Sequence, residues 1–264
     1  MYPSILEIGP ITIHTYGVLL ALAFIAGIWL ASRNAKKHGI DPDAVWSLGL
    51  VVIFAALVGT KLLMILSDFN YYIQNPREIF SLSTLRSMGV YYGGLLLALG
   101  AAAWYLNRKR LPAWKIADCA APGIALGQTI GRLGCFASGC CYGAPTTMPW
   151  GVTFTNPYSY ENVGVPLNIP LHPAQLYESA GTLCLFAFLM WRLSRKHTSG
   201  QIILEYLGLY AILRFALEFY RDDYRGSVLH GLLSTSQFIA VVTFIGAAVV
   251  YYFIVSRSGT NPKN

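Results

Sequence analysis

The sequence is poor in charged residues. Only 12% of its 264 residues are Asp, Glu, Lys or Arg, whereas about a quarter of the residues in soluble globular domains are charged. Hydrophobic residues make up 55% of the chain. Aromatic residues, which are included in that fraction, make up 14%, and such residues are enriched at membrane interfaces. This composition excludes a soluble domain, a disordered chain and a coiled coil, and it favours a polytopic membrane protein.

Paired cysteine motifs are also missing. The five cysteines, at positions 119, 135, 140, 141 and 184, form neither a CxxC pair nor a Cys/His zinc spacing. The three within GCFASGCCYG are open to three interpretations: a disulfide, a metal site or small packing residues. Three thiols without a nearby His make a poor zinc set, so packing residues or one disulfide are favoured.

No internal repeat, low-complexity segment or linker divides the chain. Residues 1–264 are therefore expected to form a single transmembrane domain. The N-terminus has no basic region before its first apolar run and no small-residue cleavage site after it. We therefore expect the first helix to be retained and not removed as a signal peptide.

Apolar segments long enough to cross a bilayer occur about seven times. A spanning helix needs roughly 20 mostly apolar residues. The pattern fits near residues 12–32, 44–66, 88–106, 115–135, 174–191, 201–220 and 233–255. The expected architecture is an all-α polytopic membrane protein with about seven transmembrane helices.

Basic residues are distributed unevenly among the loops. Twelve of the 19 follow spans one, three, five and seven: Arg33, Lys36, Lys37, Arg108, Lys109, Arg110, Lys115, Arg192, Arg195, Lys196, Arg257 and Lys263. The segment 137–172 contains no Lys or Arg. By the positive-inside rule the N-terminus is outside and the C-terminus is cytoplasmic. The net charge of +7 thus indicates membrane topology and not nucleic-acid binding.

The segment 137–172 is rich in Pro, Gly, Asn and aromatic residues, which is typical of a structured loop with several turns. Its position predicts a small extracytoplasmic cap between helices four and five.

Two arginines are expected in the outer half of the membrane. At a rise of about 1.5 Å per residue, Arg214 lies about 21 Å along span six and Arg132 about 26 Å along span four. Guanidinium groups suit two-point binding of phosphate, so the pair predicts a site for a phospholipid headgroup. The alternatives are that Arg214 only pairs with Glu218, and that Arg132 only extends to the outer interface.

Further polar residues are expected at the same depth. Tyr210, Arg214, Glu218 and Arg221 recur at i, i+4, i+8 and i+11, which places them on one face of span six. His14 and Tyr16 begin span one, Tyr92, Gly93 and Gly94 begin span three, and His172, Gln175, Tyr177 and Glu178 begin span five. Gly134 allows close backbone approach beside Arg132.

These motifs resemble those of the prolipoprotein diacylglyceryl transferase family. IGPITIHTYG, VYYGGLLL, IGRLGCFASGCCYG, HPAQLYE and YAILRFALEFYRDD follow the family's order along nearly the whole chain. Within the family's GRxGNFxNxExxG signature, Gly131, Arg132, Gly134, Phe136 and Gly143 are kept. Cys135, Ser138 and Cys140 replace the family's usual Asn, Asn and Glu.

The resemblance implies transfer of the diacylglyceryl group from phosphatidylglycerol to a lipobox cysteine thiol of prolipoproteins, with release of glycerol phosphate. It implies a bacterial inner-membrane enzyme whose active site faces the outer leaflet. The implied partners are the phospholipid, the lipobox signal peptide and the surrounding bilayer, without nucleic acid, metal or organic cofactor.

The implied residue roles fall into two groups. Catalytic roles go to Arg132, Arg214, Tyr92 and His14, the last two as alternative bases. Substrate-binding roles go to Tyr16, Tyr210, Glu218, Arg221, His172, Gln175, Tyr177, Glu178, Gly93, Gly94, Gly134 and Gly143. A protein of the same fold that transfers another lipid or uses another acceptor, and a lipid transporter, are the alternative interpretations.

Overall fold

The computed structural model describes residues 4–8, 11–81, 84, 89–222, 226–228 and 232–259; the predicted tail cation Lys263 lies outside them. Helices dominate this part of the chain. The longer ones are α1 (Thr15–Lys37), α2 (Pro42–Ser67), α4 (Tyr91–Arg108), α5 (Ala113–Ser138), α7 (Ala174–Leu193), α8 (Gln201–Leu217) and α9 (Thr235–Gly259), and the shorter ones are α3 (Phe69–Gln74) and α6 (Pro157–Val163). Two 3-10 turns cover Pro76–Phe80 and Glu218–Tyr220.

Three of the described helices have the length and the apolar composition to cross a membrane: Thr15–Lys37, Pro42–Ser67 and, within α9, Thr235–Ser256. Large apolar side chains such as Phe54, Trp104 and Phe253 are exposed on the helices, where a bilayer would cover them. The chain is thus an all-α membrane protein, as the apolar runs predict.

Small residues bring the helices together. An added Cβ on Gly27 of α1 would lie 3.0 Å from the carbonyl oxygen of Gly123 in α5, so these two helices touch through their backbones. Helix α5 also packs against α7 and α8, where Ala121, Leu189 and Ile202 form a buried core. This central position of α5 brings its C-terminal end, with Arg132, next to α7 and α8.

The segment 137–172 folds as a small structured unit. It contains α6 and an antiparallel pair of short strands, Val152–Thr153 and Pro170–Leu171. Phe154, Val165 and Leu171 form the buried core of this segment. Two further hairpins, of Ser4–Ile8 with Ile11–His14 and of Ser227–Val228 with Leu233–Ser234, precede α1 and α9.

The end of α8 differs from the prediction. The helix ends at Leu217, a 3-10 turn follows, and Arg221 adopts an extended backbone that pairs with Gly143 in a β-bridge. The expectation that Arg221 continues the helical face of Arg214 is therefore wrong. The reason is tertiary, because the backbone oxygen of Tyr220 accepts a hydrogen bond from the Ala144 amide at 2.9 Å and pulls the chain out of the helix.

Candidate functional site

A single carboxylate joins three segments at the centre of the site. Glu178 of α7 is 1% exposed, and its Oε1 forms an ion pair with Arg132 Nη2 and accepts a hydrogen bond from the Tyr210 hydroxyl, each at 2.9 Å. Its Oε2 lies 3.9 Å from Arg221 Nη1 and accepts no hydrogen bond from the described residues. Glu178 thus fixes the guanidinium of Arg132 against α7 and α8.

Arg214 lies one helical turn beyond Tyr210 on α8. Its Nη1 donates to Glu218 Oε2 at 2.6 Å, and its Nη2 donates to Ser236 Oγ at 2.9 Å. The predicted pair of Arg214 with Glu218 is therefore present, and a residue of α9 completes it. Tyr210 shares Glu178 Oε1 with Arg132, so this tyrosine connects the carboxylate that holds Arg132 to the helix that carries Arg214.

The three arginines differ in how far their side chains reach the surface. The side chain of Arg132 is 21% exposed and that of Arg214 is 12% exposed, whereas that of Arg221 is 3% exposed. Arg132 and Arg214 therefore keep N–H groups that a phosphate can approach. Arg221 is enclosed and faces the carboxylate of Glu178.

The start of α7 is held by aromatic side chains. The ring Nδ1 of His172 lies 3.1 Å from the Tyr177 hydroxyl, and Trp150 Nε1 donates to the same hydroxyl at 2.7 Å. The ring of Tyr220 packs edge-on against both His172 and Tyr177. These contacts hold the 137–172 segment onto α7, and they do not include Arg132 or Arg214.

Gln175 connects α7 to the end of α5. Its Nε2 donates to the Cys140 carbonyl at 2.8 Å, and the side chain is 1% exposed. Its Oε1 is buried without a hydrogen bond from the described residues. The described contact makes Gln175 a positioning residue for the turn that follows Arg132.

The sulfur atoms of Cys135, Cys140 and Cys141 lie within 4.8 Å of one another. No disulfide joins any of the five cysteines, all of which the structure describes. Hydrogen bonds from the thiols of Cys135 and Cys140, followed by the charges of Arg221 and Arg132, hold the pKa of Cys141 well below its usual range. The sequence interpretation favoured packing residues or one disulfide over a metal site; the disulfide is wrong, and the convergence of three sulfur atoms fits the interpretation that was set aside.

Tyr16 and His14, which are close in sequence, have different neighbours. An added Cβ on Gly134 would lie 3.3 Å from the Tyr16 ring, so Tyr16 packs on α5 two residues after Arg132. The exposed His14 stacks on Tyr158 at a ring distance of 5.9 Å, with 3.4 Å between Nδ1 and the hydroxyl. Tyr16 therefore lies beside the end of α5 that carries Arg132, whereas His14 contacts the 137–172 segment.

Tyr92 begins α4 and is 48% exposed. Its described ring contact is with Tyr91, at 5.7 Å between centroids. The described contacts of Tyr92 and of His14 thus do not include Arg132 or Arg214.

The four predicted substrate-binding glycines all contact protein. Gly93 and Gly94 face α2, where a Cβ on Gly94 would lie 2.7 Å from Thr60 Cγ2. Gly134 faces Tyr16 on α1. A Cβ on Gly143 would lie 2.5 Å from two backbone oxygens, those of His172 and Tyr220. The geometry gives each glycine a role in close packing, and binding of substrate by them stays a prediction.

Three residues of the site were missed by the sequence analysis. They are Ser236, Trp150 and Tyr158, which bond to Arg214, Tyr177 and His14 respectively. The only sequence signal for Ser236 is a hydroxyl at the start of the last apolar run. Trp150 and Tyr158 lie among the many aromatic residues of 137–172, where no periodicity marks them.

Comparison with known proteins identifies the family. The profile described as prolipoprotein diacylglyceryl transferase matches residues 3–253. Proteins named phosphatidylglycerol--prolipoprotein diacylglyceryl transferase from Clostridium tetani and Clostridioides difficile are 37% and 31% identical over 252 residues. These matches cover 95% of this chain, and 97% and 94% of the respective relatives. The chain therefore belongs to the prolipoprotein diacylglyceryl transferase family.

Proposed function

We propose that this protein transfers the diacylglyceryl group of phosphatidylglycerol to the thiol of the lipobox cysteine in prolipoproteins, releasing glycerol phosphate. Family membership and the names of the relatives support this reaction. The structural observation that carries it is the pairing of Arg132 with Glu178, whose Oε1 also accepts a hydrogen bond from Tyr210, one helical turn before Arg214.

The two arginines bind the phosphate of the lipid. Guanidinium N–H groups match the spacing of phosphate oxygens, and here they are oriented in advance by Glu178 and Glu218. In the reaction, the sulfur of the acceptor cysteine attacks the glyceryl carbon and the carbon–oxygen bond to phosphate breaks. The oxygen keeps the electron pair, so charge grows on the leaving phosphate, where arginine stabilises it most.

A base must take the thiol proton of the acceptor before or during attack. His14 and Tyr92 are the proposed candidates. Imidazole is the side chain that most often acts as a general base, and the contact of His14 with Tyr158 orients its ring. The alternative is Tyr92, whose phenol is 48% exposed in the first turn of α4.

The substrate-binding residues fall into three proposed roles. Tyr16 and Tyr210 orient the headgroup together with Glu178 and Glu218, to which the arginines bond, and the enclosed Arg221 contributes by holding Glu178. His172, Gln175 and Tyr177 shape the site beneath the 137–172 segment. Gly93, Gly94, Gly134 and Gly143 set the separation of the helices that surround the lipid.

The placement in the membrane is part of this proposal. Residues 1–264 form one transmembrane domain of seven spans, with the N-terminus outside, the C-terminus cytoplasmic and 137–172 as an extracytoplasmic cap. The long helices at the predicted positions and the uneven distribution of basic residues support it. The active site then faces the outer leaflet of the bacterial inner membrane, where lipid and signal peptide enter sideways between helices.

Mass spectrometry of a synthetic lipobox peptide tests the reaction. The peptide is incubated with phosphatidylglycerol vesicles and the purified full-length protein. We expect a diacylglyceryl mass gain on the Cys peptide and none on its Ser counterpart. A folded protein that leaves the Cys peptide unmodified would instead support a relative that acts on another lipid or acceptor.

Arginine variants test the phosphate assignment. Arg132→Ala and Arg214→Ala are expected to abolish transfer while the protein still folds in the membrane. Arg33→Ala is the matched control, because this arginine lies on α1 over the Trp29 ring, away from the site. Turnover near the parent level in either site variant would exclude the phosphate role.

A further inference from the structure

The three converging cysteines form a potential ligand set that the proposed transfer does not use. Cys135 lies in the last turns of α5, and Cys140 and Cys141 follow directly after its end. Their sulfur atoms are all within 4.8 Å of one another. Three thiolates bound to one ion at about 2.3 Å lie about 4 Å apart, so the sulfurs need only small side-chain movements to share an ion.

The backbone around the cluster holds the sulfur atoms in this arrangement. Gly139 ends α5 with a left-handed φ of 82°, and Cys141 has a positive φ of 61°, which is uncommon for a residue with a side chain. Gln175 fixes the carbonyl of Cys140 at 2.8 Å. The turn is thereby held with its three thiols converging, and the Ser138 hydroxyl, which donates to the Cys135 carbonyl at 3.1 Å, lies 3.3 Å from Cys140 Sγ.

Charge balance indicates the class of ion. Arg132 Nη1 lies 4.0 Å from Cys135 Sγ, and Glu178 pairs with both Arg132 and Arg221. These three side chains carry a net charge of one positive unit. A divalent ion with three thiolates carries one negative unit, so the two neutralise each other, whereas a monovalent ion would leave an excess of negative charge in a buried place.

We propose that Cys135, Cys140 and Cys141 bind one divalent thiophilic ion of the Zn²⁺ or Cd²⁺ class as a three-thiolate site. Binding forms three metal–sulfur bonds and releases the three thiol protons to solvent. The ion crosslinks the end of α5 to the turn that follows it. It thereby stiffens the segment that carries Arg132, an effect that goes beyond the proposed transfer reaction.

Titration with Cd²⁺ tests the site directly. The full-length protein is purified in detergent under reducing, oxygen-free conditions and freed of metal. We expect one Cd²⁺ per chain and a sulfur-to-cadmium charge-transfer band in the ultraviolet. Cys135→Ser, Cys140→Ser and Cys141→Ser should each weaken binding at least about 100-fold, since loss of even an outer-shell partner costs about 10–100-fold. Cys184→Ser is the matched control and should bind like the parent.

A second measurement, made on the parent protein, tests the metal site even if the serine variants fail to fold. In the parent protein, Zn²⁺ should slow alkylation of the three clustered thiols and leave that of Cys184 unchanged. The proposal is overturned if the reduced parent shows no charge-transfer band, if the band survives in the cluster variants, or if Zn²⁺ protects no thiol. It is also overturned if two of the clustered cysteines are isolated as a disulfide under these conditions.

Discussion

Glu178 is the acidic residue on which the site depends. One buried carboxylate serves Arg132 and Tyr210 through Oε1 and approaches Arg221 through Oε2. A buried charge is tolerated only when it is paired, and breaking such a pair costs more than the pair contributes, because the remaining charge stays buried. The arginines therefore depend on Glu178 both for their orientation and for their burial.

We expect the Glu178→Gln substitution to reduce both stability and transfer activity strongly. It should lower the free energy of unfolding by about 3–5 kcal/mol and abolish transfer, since two guanidinium groups lose their counter-charge. Unfolding in mixed micelles and peptide lipidation measure the two effects. Glu161→Gln, at an exposed carboxylate of α6, should leave both unchanged. A Glu178→Gln protein as stable and active as the parent would contradict this role.

We expect the Tyr210→Phe substitution to reduce transfer activity less than Glu178→Gln does. It removes only the hydroxyl that donates to Glu178 Oε1 and leaves the ion pair with Arg132 in place. A hydrogen bond to a charged group contributes about 1.5–3 kcal/mol, so transfer should fall about 10–100-fold. Initial rates of peptide lipidation measure it. Tyr206→Phe, which loses a comparable hydrogen bond to Gln128, is the control and should retain more activity.

At the scale of elements, Gly143 joins three chain segments. Its amide donates to the His172 carbonyl at 3.0 Å, and its backbone pairs with Arg221. Gly143→Ala should lower stability by about 1–3 kcal/mol, because the new Cβ meets two fixed backbone oxygens. Thermal unfolding in detergent checks this. Gly100→Ala, which has open space around it, should be neutral or slightly stabilising; an equal loss in both variants would refute the steric argument.

Asp118 anchors the other end of α8. Although it lies on α5, its carboxylate accepts hydrogen bonds from the amides of Gly200 and Ile203, at 2.6 and 2.9 Å. It thus caps the first turn of a neighbouring helix, and its negative charge favours the positive end of that helix. This contact fixes the start of α8, and so the positions of Tyr210 and Arg214 further along that helix.

Asp118→Asn should therefore lower the free energy of unfolding by about 1–2 kcal/mol. The Asn side chain has an NH2 group in place of one of the two oxygens that accept hydrogen bonds from the amides of α8. Asp41→Asn is the control, since Asp41 caps α2 at the surface and Asn is an equally good cap there. Parallel denaturant titrations compare the variants. Equal stability of the two would show that Asp118 is not needed to hold α8.

At the scale of the whole molecule, the uneven distribution of basic residues predicts sidedness. In intact cells, a membrane-impermeant maleimide should label Thr147→Cys, whose parent residue is exposed in 137–172. Lys109→Cys should be labelled only after permeabilisation, and the parent protein corrects for native thiols. Labelling in the reverse pattern would invert the proposed topology and move the arginine cluster to the cytoplasmic side.

The sequence by itself determined the features that depend on local periodicity and composition. Apolar runs placed the long helices, because each buries or presents an apolar surface along its whole length. The i, i+4 spacing placed Arg214 beside Glu218, and the pair forms at 2.6 Å. The order of the motifs along the chain identified the family, which the comparisons confirm.

Tertiary structure alone decided which distant residues meet. Glu178 was assigned to substrate, yet its carboxylate holds Arg132 and Tyr210, each more than 30 residues away. Arg221 does not lie on its predicted helical face, because its backbone pairs with that of Gly143 in a β-bridge. Such contacts depend on how α5, α7 and α8 pack and on close approaches at small residues, for which the periodicity of a single chain carries no signal.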